Sequence, residues 1–542
     1  MKPLNHQVTH TLPILLFLFF IVFTLAACGG GGGGGSPSTG GGSGGGTTSQ
    51  ASTDASLSGL SITNATLNNT FQSSQTSYTA GVNFFINSVR VSATLADSNA
   101  TMTVNGVAAS SGVATAPINL AQGSNPIAIV VTAADGVTTQ TYSIDLARQS
   151  AQQSYSAADA AQSDRFGVSI AISGDTMVVG AEWQDITDSN NVVQNDAGAA
   201  YVFVRSSGVW SLQQKLTAGN AGSGDSFGHS VAIDGDTLVV GAYWEDGKAF
   251  NAGAAYVFVR SGTTWTQQGY LQASDAATLD YFGTSVSISG DSVVVGANNK
   301  SSGTGAVYVF VRSGTTWSEQ QALTASNAGT TDQFGKSVAI AGDTLVVGAP
   351  QEDGTSISND GAAYVFTRSG TTWTEQQMLK AGNAADGDNF GDTVAISDGT
   401  IAVGATGRDA AAGAAYVFID TGAGWSQQAF LQASNAEASD AFGHSIALSG
   451  ERLVVGAETE DGDASSTSLS PNNGAMDSGA VYVFMRDGTS WTQPLYVKAS
   501  DAVTLDYFGS SVGIDGDTLV VGARAKKSIT GVTSAGVAYV FQ

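Results

Sequence analysis

The chain has 542 residues and a formal net charge of −25 at pH 7. This charge argues against a nucleic-acid partner, because contacts to phosphate groups need Lys and Arg side chains. Gly accounts for 69 residues and charged residues for only 12%. No amphipathic helical pattern follows the leader, so the composition predicts an all-β protein.

The first segment, residues 1–28, has the pattern of a secretion signal. An apolar run from Leu12 to Leu25 is followed by Ala, Ala and Cys28. This pattern resembles a bacterial lipoprotein signal peptide, and the resemblance implies that Cys28 receives lipid after cleavage. Because Gly29 rather than Asp follows the cysteine, the resemblance implies the outer membrane, facing the surface or the periplasm. A plain transmembrane anchor is the alternative, but the run is short for a span of about 20 residues.

Two segments precede the repeats. Residues 29–53 are rich in Gly, Ser and Thr and predict a flexible tether, because such a composition buries no core. Residues 54–149 alternate apolar and polar residues, with hairpin signals at Asn105 and Asp135, each followed by Gly, which predicts a small β-sandwich. The stretches LSGLSI, SYTAGV, TVNGV and TYSIDLAR resemble the cadherin-like sandwich modules of bacterial surface proteins, which implies a spacer that presents the next domain.

Residues 150–542 contain seven copies of one repeat, each opened by the sequence D-x-F-G. Each copy has short apolar stretches such as SVAI, TLVVGA and AAYVF, with Gly-Asp and Ser-Gly hairpin signals between strands. Four-stranded sheets repeated in this way bury their faces against one another in a ring. The pattern predicts a seven-bladed β-propeller. The opening Asp residues, interpreted as turn caps, are Asp164, Asp225, Asp280, Asp332, Asp388, Asp440 and Asp506.

The two ends of the repeat array predict how the ring closes. The seventh copy stops at AYVFQ without a Trp-bearing stretch, whereas residues 152–160 precede the first copy and align with residues 268–276 of the second. We therefore predict that this N-terminal strand completes the seventh blade. The Trp residues of the other fourth strands, interpreted as blade packing, are Trp210, Trp265, Trp317, Trp373, Trp425 and Trp491.

The motifs F-G, GDTLVVGA and GAAYVF resemble the FG-GAP repeats of integrin alpha subunits, and more closely their bacterial variety, over residues 150–542. Repeats of that family often insert an Asp-rich calcium loop between the first two strands. Here the connection is only Ser-Gly-Asp or similar, too short to supply the roughly six to eight oxygen ligands of calcium. We predict no cofactor. Calcium is left open as a ligand, although the integrin-type calcium loop is absent.

The loops between second and third strands differ among the copies and share one predicted face, the variable face, with the connections between blades. Variable loops on a rigid scaffold are where binding usually occurs. One interpretation of their acidic and aromatic residues is a site for a cation, a basic ligand or a sugar ring. The other is loop capping by Asp and packing by the rings. The residues are Trp183, Asp185, Tyr243, Trp244, Asp246, Asp353, Asp409 and Asp461.

Catalysis finds little support in the sequence. No Ser-His-Asp order, metal-binding His cluster or phosphate loop is present, and Cys28 is the only cysteine. His229 and His444 occupy a position that other copies fill with Val, Thr, Lys, Asp or Ser, which is interpreted as solvent-facing. We predict no enzyme, no catalytic residue and no metal site.

These observations favour a lipid-anchored cell-surface binding or adhesion protein whose variable acidic face binds a protein or a glycan. Its contact with the membrane would be the lipid on Cys28. Two alternatives stay open at this point: a structural or assembly module of the cell envelope, and a propeller enzyme that acts on polysaccharide.

Overall fold

The computed structural model describes residues 50–121, 123–148, 152–187, 191–354, 357–463, 465 and 472–542, apart from the side chain of Pro494. The predicted signal peptide, Cys28 and most of the predicted tether lie outside the described residues. The chain divides into two units, Met1–Ala51 and Ser52–Gln542, and the following account concerns the second. No helix in the described part of the chain is long and apolar enough to span a membrane.

A β-sandwich precedes the propeller, as predicted. Its strands pair as a six-stranded sheet in the order β2-β3-β10-β9-β6-β7 and as two small sheets, β1-β5 and β4-β8. Alternation along β10 points Tyr142, Ile144 and Leu146 into the core, where each is at most 1% exposed. The strands are β1 (Leu57–Ile62), β2 (Thr66–Leu67), β3 (Ser77–Val82), β4 (Ser88–Val89), β5 (Val91–Leu95), β6 (Thr101–Val104), β7 (Val107–Ala109), β8 (Ile118–Asn119), β9 (Gly123–Thr132) and β10 (Thr139–Arg148).

The propeller follows as seven four-stranded antiparallel sheets. Blade 1 contains β12 (Ile170–Ser173), β13 (Thr176–Ala181), β16 (Ala199–Ser206) and β17 (Val209–Leu216), with the hairpin β14 (Ile186–Thr187) and β15 (Val193–Gln194) in its loop. Blade 2 contains β18 (Ser230–Asp234), β19 (Thr237–Ala242), β20 (Ala254–Ser261) and β21 (Thr264–Leu271). Blade 3 contains β22 (Phe282–Ser289), β23 (Ser292–Ala297), β24 (Ala306–Ser313) and β25 (Thr316–Leu323), with the one-turn helix α1 (Lys300–Gly303).

The remaining blades repeat this order. Blade 4 contains β26 (Ser337–Ala341), β27 (Thr344–Ala349), β28 (Ala362–Ser369) and β29 (Thr372–Leu379). Blade 5 contains β30 (Phe390–Ser397), β31 (Thr400–Ala405), β32 (Ala414–Asp420) and β33 (Trp425–Leu431), with the one-turn helix α2 (Arg408–Ala411). Blade 6 contains β34 (Phe442–Ser449), β35 (Arg452–Ala457), β36 (Ala480–Asp487) and β37 (Ser490–Val497). Blade 7 contains β38 (Phe508–Asp515), β39 (Thr518–Ala523), β40 (Val537–Phe541) and the N-terminal strand β11 (Gln153–Tyr155).

The second strand of each blade packs between its neighbours, which explains the sequence TLVVGA. In blade 2 every residue of β19 is buried. A methyl group on Gly241 would lie 2.1 Å from the carbonyl oxygen of Gly283 on blade 3, so only glycine allows the blades to approach this closely. The Phe of D-x-F-G is a core wedge: Phe227 is fully buried and packs edge-on against Tyr256, with ring centroids 5.3 Å apart.

The N-terminal strand β11 pairs antiparallel with β40 in blade 7. Tyr155 lies opposite Ala538, just as Leu271 lies opposite Ala255 in blade 2, which is the alignment that the sequence predicts. Blades 7 and 1 are then joined like any other pair. The Ser511 hydroxyl donates to the Gly167 carbonyl at 2.7 Å, as that of Ser169 does to Gly228 between blades 1 and 2.

The sandwich packs directly on blade 7, at the C-terminal end of β40. Phe84 and Phe85, in the turn between β3 and β4, are each 2% exposed and share a core with residues of blades 6 and 7. The Phe84 ring lies 5.2 Å from that of Phe541, and the Arg452 guanidinium lies 4.7 Å above the Phe85 ring. Arg148 donates to the Phe84 carbonyl oxygen. The spacer expected from the sequence is therefore in contact with the domain that it precedes.

Candidate binding site

The predicted carboxylates of the variable face are engaged within their own blades. Four of them accept a hydrogen bond from a backbone amide later in the same loop, as the capping interpretation expects. The pairs are Asp185 with Asp196 N at 3.0 Å, Asp246 with Asn251 N at 2.7 Å, Asp353 with Asn359 N at 2.8 Å and Asp461 with Asp477 N at 2.9 Å. Asp409 instead accepts from the side chain of Gln432 at 2.8 Å.

Within the described part of the chain, no group of three His, Cys, Asp or Glu side chains is arranged to hold a metal ion. The Asp residues that open each D-x-F-G are turn caps. Each accepts a hydrogen bond from the backbone amide three residues earlier, at 2.5–2.8 Å. The fourth-strand Trp residues serve packing: in five blades an Arg guanidinium lies 5.1–5.7 Å from the Trp ring.

The predicted aromatic residues belong to a cluster on blades 1 and 2. The Arg165 guanidinium lies 3.3 Å from the centre of the Trp183 ring. Tyr243 contacts both Trp244 and His229, with ring centroids 4.8 and 4.2 Å apart. Trp183, Tyr243 and Trp244 are all half-buried, so each ring keeps some surface open to solvent. Asp353, Asp409 and Asp461 lie on other blades and take no part in this cluster.

Glu182 connects the two sides of this cluster by pairing with Arg165 and His229. Its carboxylate is buried, and its two oxygens lie 2.9 Å from Arg165 Nη1 and 2.7 Å from His229 Nδ1. Burial acts to raise the pKa of this carboxyl, but the hydrogen bonds and charges of His229 and Arg165 outweigh it and hold the pKa below its usual value. A carboxylate that stays ionised fixes both partners, so the cluster is preorganised.

The position of His229 and His444, interpreted as solvent-facing, is partly exposed and faces a channel rather than the outer surface. This position, the residue after each F-G, lines the mouth of the central channel on the variable face, in a cavity of about 370 Å³. The His229 side chain is only 27% exposed. Seven different blades contribute one residue each to this mouth ring: Val168, His229, Thr284, Lys336, Asp392, His444 and Ser510.

The sequence did contain a signal for this ring. Its residues differ among the copies, whereas the next residue is always Ser or Thr, and its hydroxyl donates to a glycine carbonyl of the following blade at 2.6–3.0 Å. A variable residue followed by an invariant Ser or Thr on the innermost strand therefore indicates a side chain that points into the channel. Variation by itself does not indicate this, because residues on the protein surface also vary.

Two leucines on the variable face have an unusual conformation. Leu279 and Leu505 precede the Asp of D-x-F-G in blades 3 and 7 and have φ angles of 65° and 67°. Their side chains are 38% and 45% exposed. The backbone amide of Leu279 donates to the carbonyl of Phe250, and that of Leu505 donates to Met476. Phe250 and Met476 are themselves 60% and 56% exposed, so two similar apolar patches lie on this face.

The fold and this face define a class of protein: an all-β binding module in which a propeller presents variable loops. The chain belongs to the FG-GAP repeat family, whose model matches residues 150–203, 210–258, 265–310, 317–366, 373–418, 425–484 and 491–541. Residues 57–149 match the model of the cadherin-like beta sandwich domain. Both resemblances predicted from the sequence are thereby confirmed, and they indicate an adhesion or binding module.

Individual relatives add little detail. A protein of Evansella cellulosilytica named "Putative membrane protein" is 34% identical over 103 residues, which are 19% of this chain and 15% of that relative. The chain therefore spans only a small part of that protein. Among solved structures, a chain in the crystal structure of the mitotic checkpoint complex is similar with a TM-score of 0.44 and 13% identity, over 71% of this chain and 92% of that chain.

Proposed function

We propose that this chain is a lipid-anchored binding or adhesion protein of the bacterial outer membrane, whose variable face binds a protein or a glycan. The anchor is the lipid on Cys28, and residues 29–53 are the tether. The membership of the FG-GAP family and the cadherin-like sandwich support a binding role. The sequence Leu-Ala-Ala-Cys before the glycine-rich tether supports the anchor.

The observation that carries the binding role is the conformation of Leu279 and Leu505. A left-handed backbone costs a non-glycine residue about 1–3 kcal/mol, and the exposed side chains gain little from burial. The equivalent residues of the other blades are small: Ser163, Gly224, Thr331, Gly387 and Ser439, all with positive φ. Leucine in blades 3 and 7 therefore places a large apolar side chain, in residues that are 38% and 45% exposed, where the other blades have Gly, Ser or Thr. A partner that covers Leu279 and Leu505 explains their presence.

The aromatic cluster is the second part of the proposed contact surface. Trp183, Tyr243 and Trp244 offer ring faces to a sugar or to a cationic side chain. Four capping carboxylates hold the loops in their conformation, and with Asp409 they add negative charge around the rings; the four are Asp185, Asp246, Asp353 and Asp461. A partner with basic or hydroxylated groups suits these outer loops better than an anionic polymer does.

The test uses the purified full chain in glycan arrays and pull-downs, with and without calcium. The double variant Leu279→Ser, Leu505→Ser adopts the residue found in blades 1 and 6. We expect it to unfold at the same temperature as the natural chain or at a higher one, and to lose capture. The pair Trp183→Ala, Trp244→Ala is expected to weaken capture as well. Full capture by both double variants would contradict the proposal, and turnover of a polysaccharide would favour an enzyme instead.

A further inference from the structure

The mouth ring lies beside a continuous set of hydrogen bonds between the blades. Behind each of its residues stands the Ser or Thr whose hydroxyl bonds to the next blade, and this sequence of hydrogen bonds passes through all seven blades, from Ser169 to Ser511. The backbone at the mouth is therefore fixed, and its side chains converge on one cavity of about 370 Å³. Cavities of about 300–1,000 Å³ are the usual size of small-molecule sites.

Lys336 is the unusual member of the ring. Most ionic groups at the mouth have partners: Glu458 lies 3.0 Å from Arg524 and 3.4 Å from His444, and Asp392 accepts from Thr406 at 2.8 Å. Lys336 as a residue is half-buried in the cavity wall, and its ammonium group has neither an ion pair nor a hydrogen bond within the described residues. A cation without a counter-ion in a cavity favours a ligand that carries negative charge.

The rest of the mouth favours a hydroxylated ligand. The hydroxyl of Thr284 and the carboxylate of Asp392 line the same cavity and can donate to or accept from hydroxyl groups. Aromatic rings stand beside it on both sides. Tyr243 contacts His229, and the Tyr507 ring lies 4.5 Å from the guanidinium of Arg524, which lines the cavity. Sugar rings combine apolar faces with hydroxyl edges and match such a wall.

We propose that the mouth ring is a binding site for an acidic sugar, a hexuronate residue, whose carboxylate pairs with Lys336 and whose hydroxyl groups bond to Asp392 and Thr284. This site deepens the proposed function, on which it rests, by naming a ligand for the centre of the variable face. The overall charge of −25 does not prevent it, because the Debye length of about 8 Å at physiological ionic strength screens distant carboxylates. The outer loops remain free for a larger partner.

The experiment measures binding of galacturonate, glucuronate and trigalacturonate to the full chain by calorimetry and saturation-transfer NMR, with galactose and acetate as comparisons. The test variant is Lys336→Met, which keeps the length of the side chain and removes its charge. The matched control is Lys527→Met, because Lys527 is an exposed lysine outside the cavity. Lys336→Arg restores a positive charge. Thermal unfolding of each variant shows whether the fold is preserved.

We expect saturable binding of the uronates, at least tenfold weaker binding in Lys336→Met, and unchanged binding in Lys527→Met with partial recovery in Lys336→Arg. Galactose binding as tight as that of galacturonate overturns the role of Lys336, and acetate binding as tight as that of galacturonate overturns the role of the sugar ring. Absence of uronate binding with capture of a macromolecule retained overturns the uronate site alone. Loss of capture with uronate binding retained overturns the proposed outer surface alone.

Discussion

Replacing Phe84 with Ala tests whether the sandwich and the propeller form one cooperative unit. The Phe84 ring is 2% exposed and lies between Phe541 of blade 7 at 5.2 Å and Phe85 at 5.5 Å. Truncation of a buried Phe to Ala costs about 3–5 kcal/mol. Because the ring is buried against both domains, the loss should appear in the coupling between them. We expect one calorimetric transition in the natural chain and two in Phe84→Ala, with the sandwich unfolding at the lower temperature.

The matched control is Phe71→Ala. Phe71 is half-buried, packs against the sandwich core and lies 5.8 and 6.2 Å from the rings of Tyr78 and Tyr142. It should destabilise the sandwich while leaving the midpoint of propeller unfolding in place. The reasoning is refuted if Phe84→Ala changes the free energy of unfolding by less than about 1 kcal/mol, the average for substitutions of any kind, or if the two variants give the same calorimetric profile.

Two further predictions concern the propeller. Deletion of residues 152–160 removes β11 and also Asp159, which bonds to Tyr201 and Lys215. We expect a much lower unfolding temperature than after a deletion of equal length from the tether. Equal unfolding temperatures would contradict closure of the ring by this strand. Burial raises the pKa of the Asp440 carboxyl to about 7, so its contribution to stability is complete below pH 4 and is lost as the pH rises through 7. In thermal melts at pH 5 and pH 8, the stability of Asp440→Asn relative to the natural chain should therefore be greater at pH 8 than at pH 5. Asp280→Asn breaks the ion pair with Lys300 at 2.9 Å and should be less stable than the natural chain at both pH values.

The blade could be predicted from the sequence because its determinants are local. Turn residues, alternating apolar residues and the close approach of Gly241 recur in nearly every copy, so seven independent observations agree. The register of β11 followed from the same repetition: the alignment of Tyr155 with Leu271 needed no knowledge of the fold. The sandwich contact could not be predicted in this way. Phe84 and Phe85 are apolar residues in a β-rich segment, and nothing in their spacing distinguishes a sandwich core from a surface that packs on blade 7.

The candidate site was predicted only in part, because a variable position has several physical causes. The variable face as a binding surface stays a prediction, and four of the five carboxylates at its rim are bonded to backbone amides of their own loops. The mouth ring was missed because His229 and His444 stand where other copies have Val, Thr or Ser. A single sequence shows the same variation whether a position tolerates any side chain or each blade needs a different side chain there.

These two cases differ in whether the fold supplies an interaction partner for the residue that varies. Some charged residues that only certain blades carry bring their own partners: Glu352 pairs with Lys380 in blade 4, and Glu460 with Lys498 in blade 6 at 2.8 Å. Such changes leave the local charge balanced and need no ligand to explain them. Lys336 has no such partner among the described residues, and Leu279 and Leu505 stand where the other blades have small residues while they are 38% and 45% exposed. Residues that vary without a partner in the fold are therefore the ones to test for binding. They are Lys336 at the centre of the variable face and Leu279 and Leu505 on two sides of it.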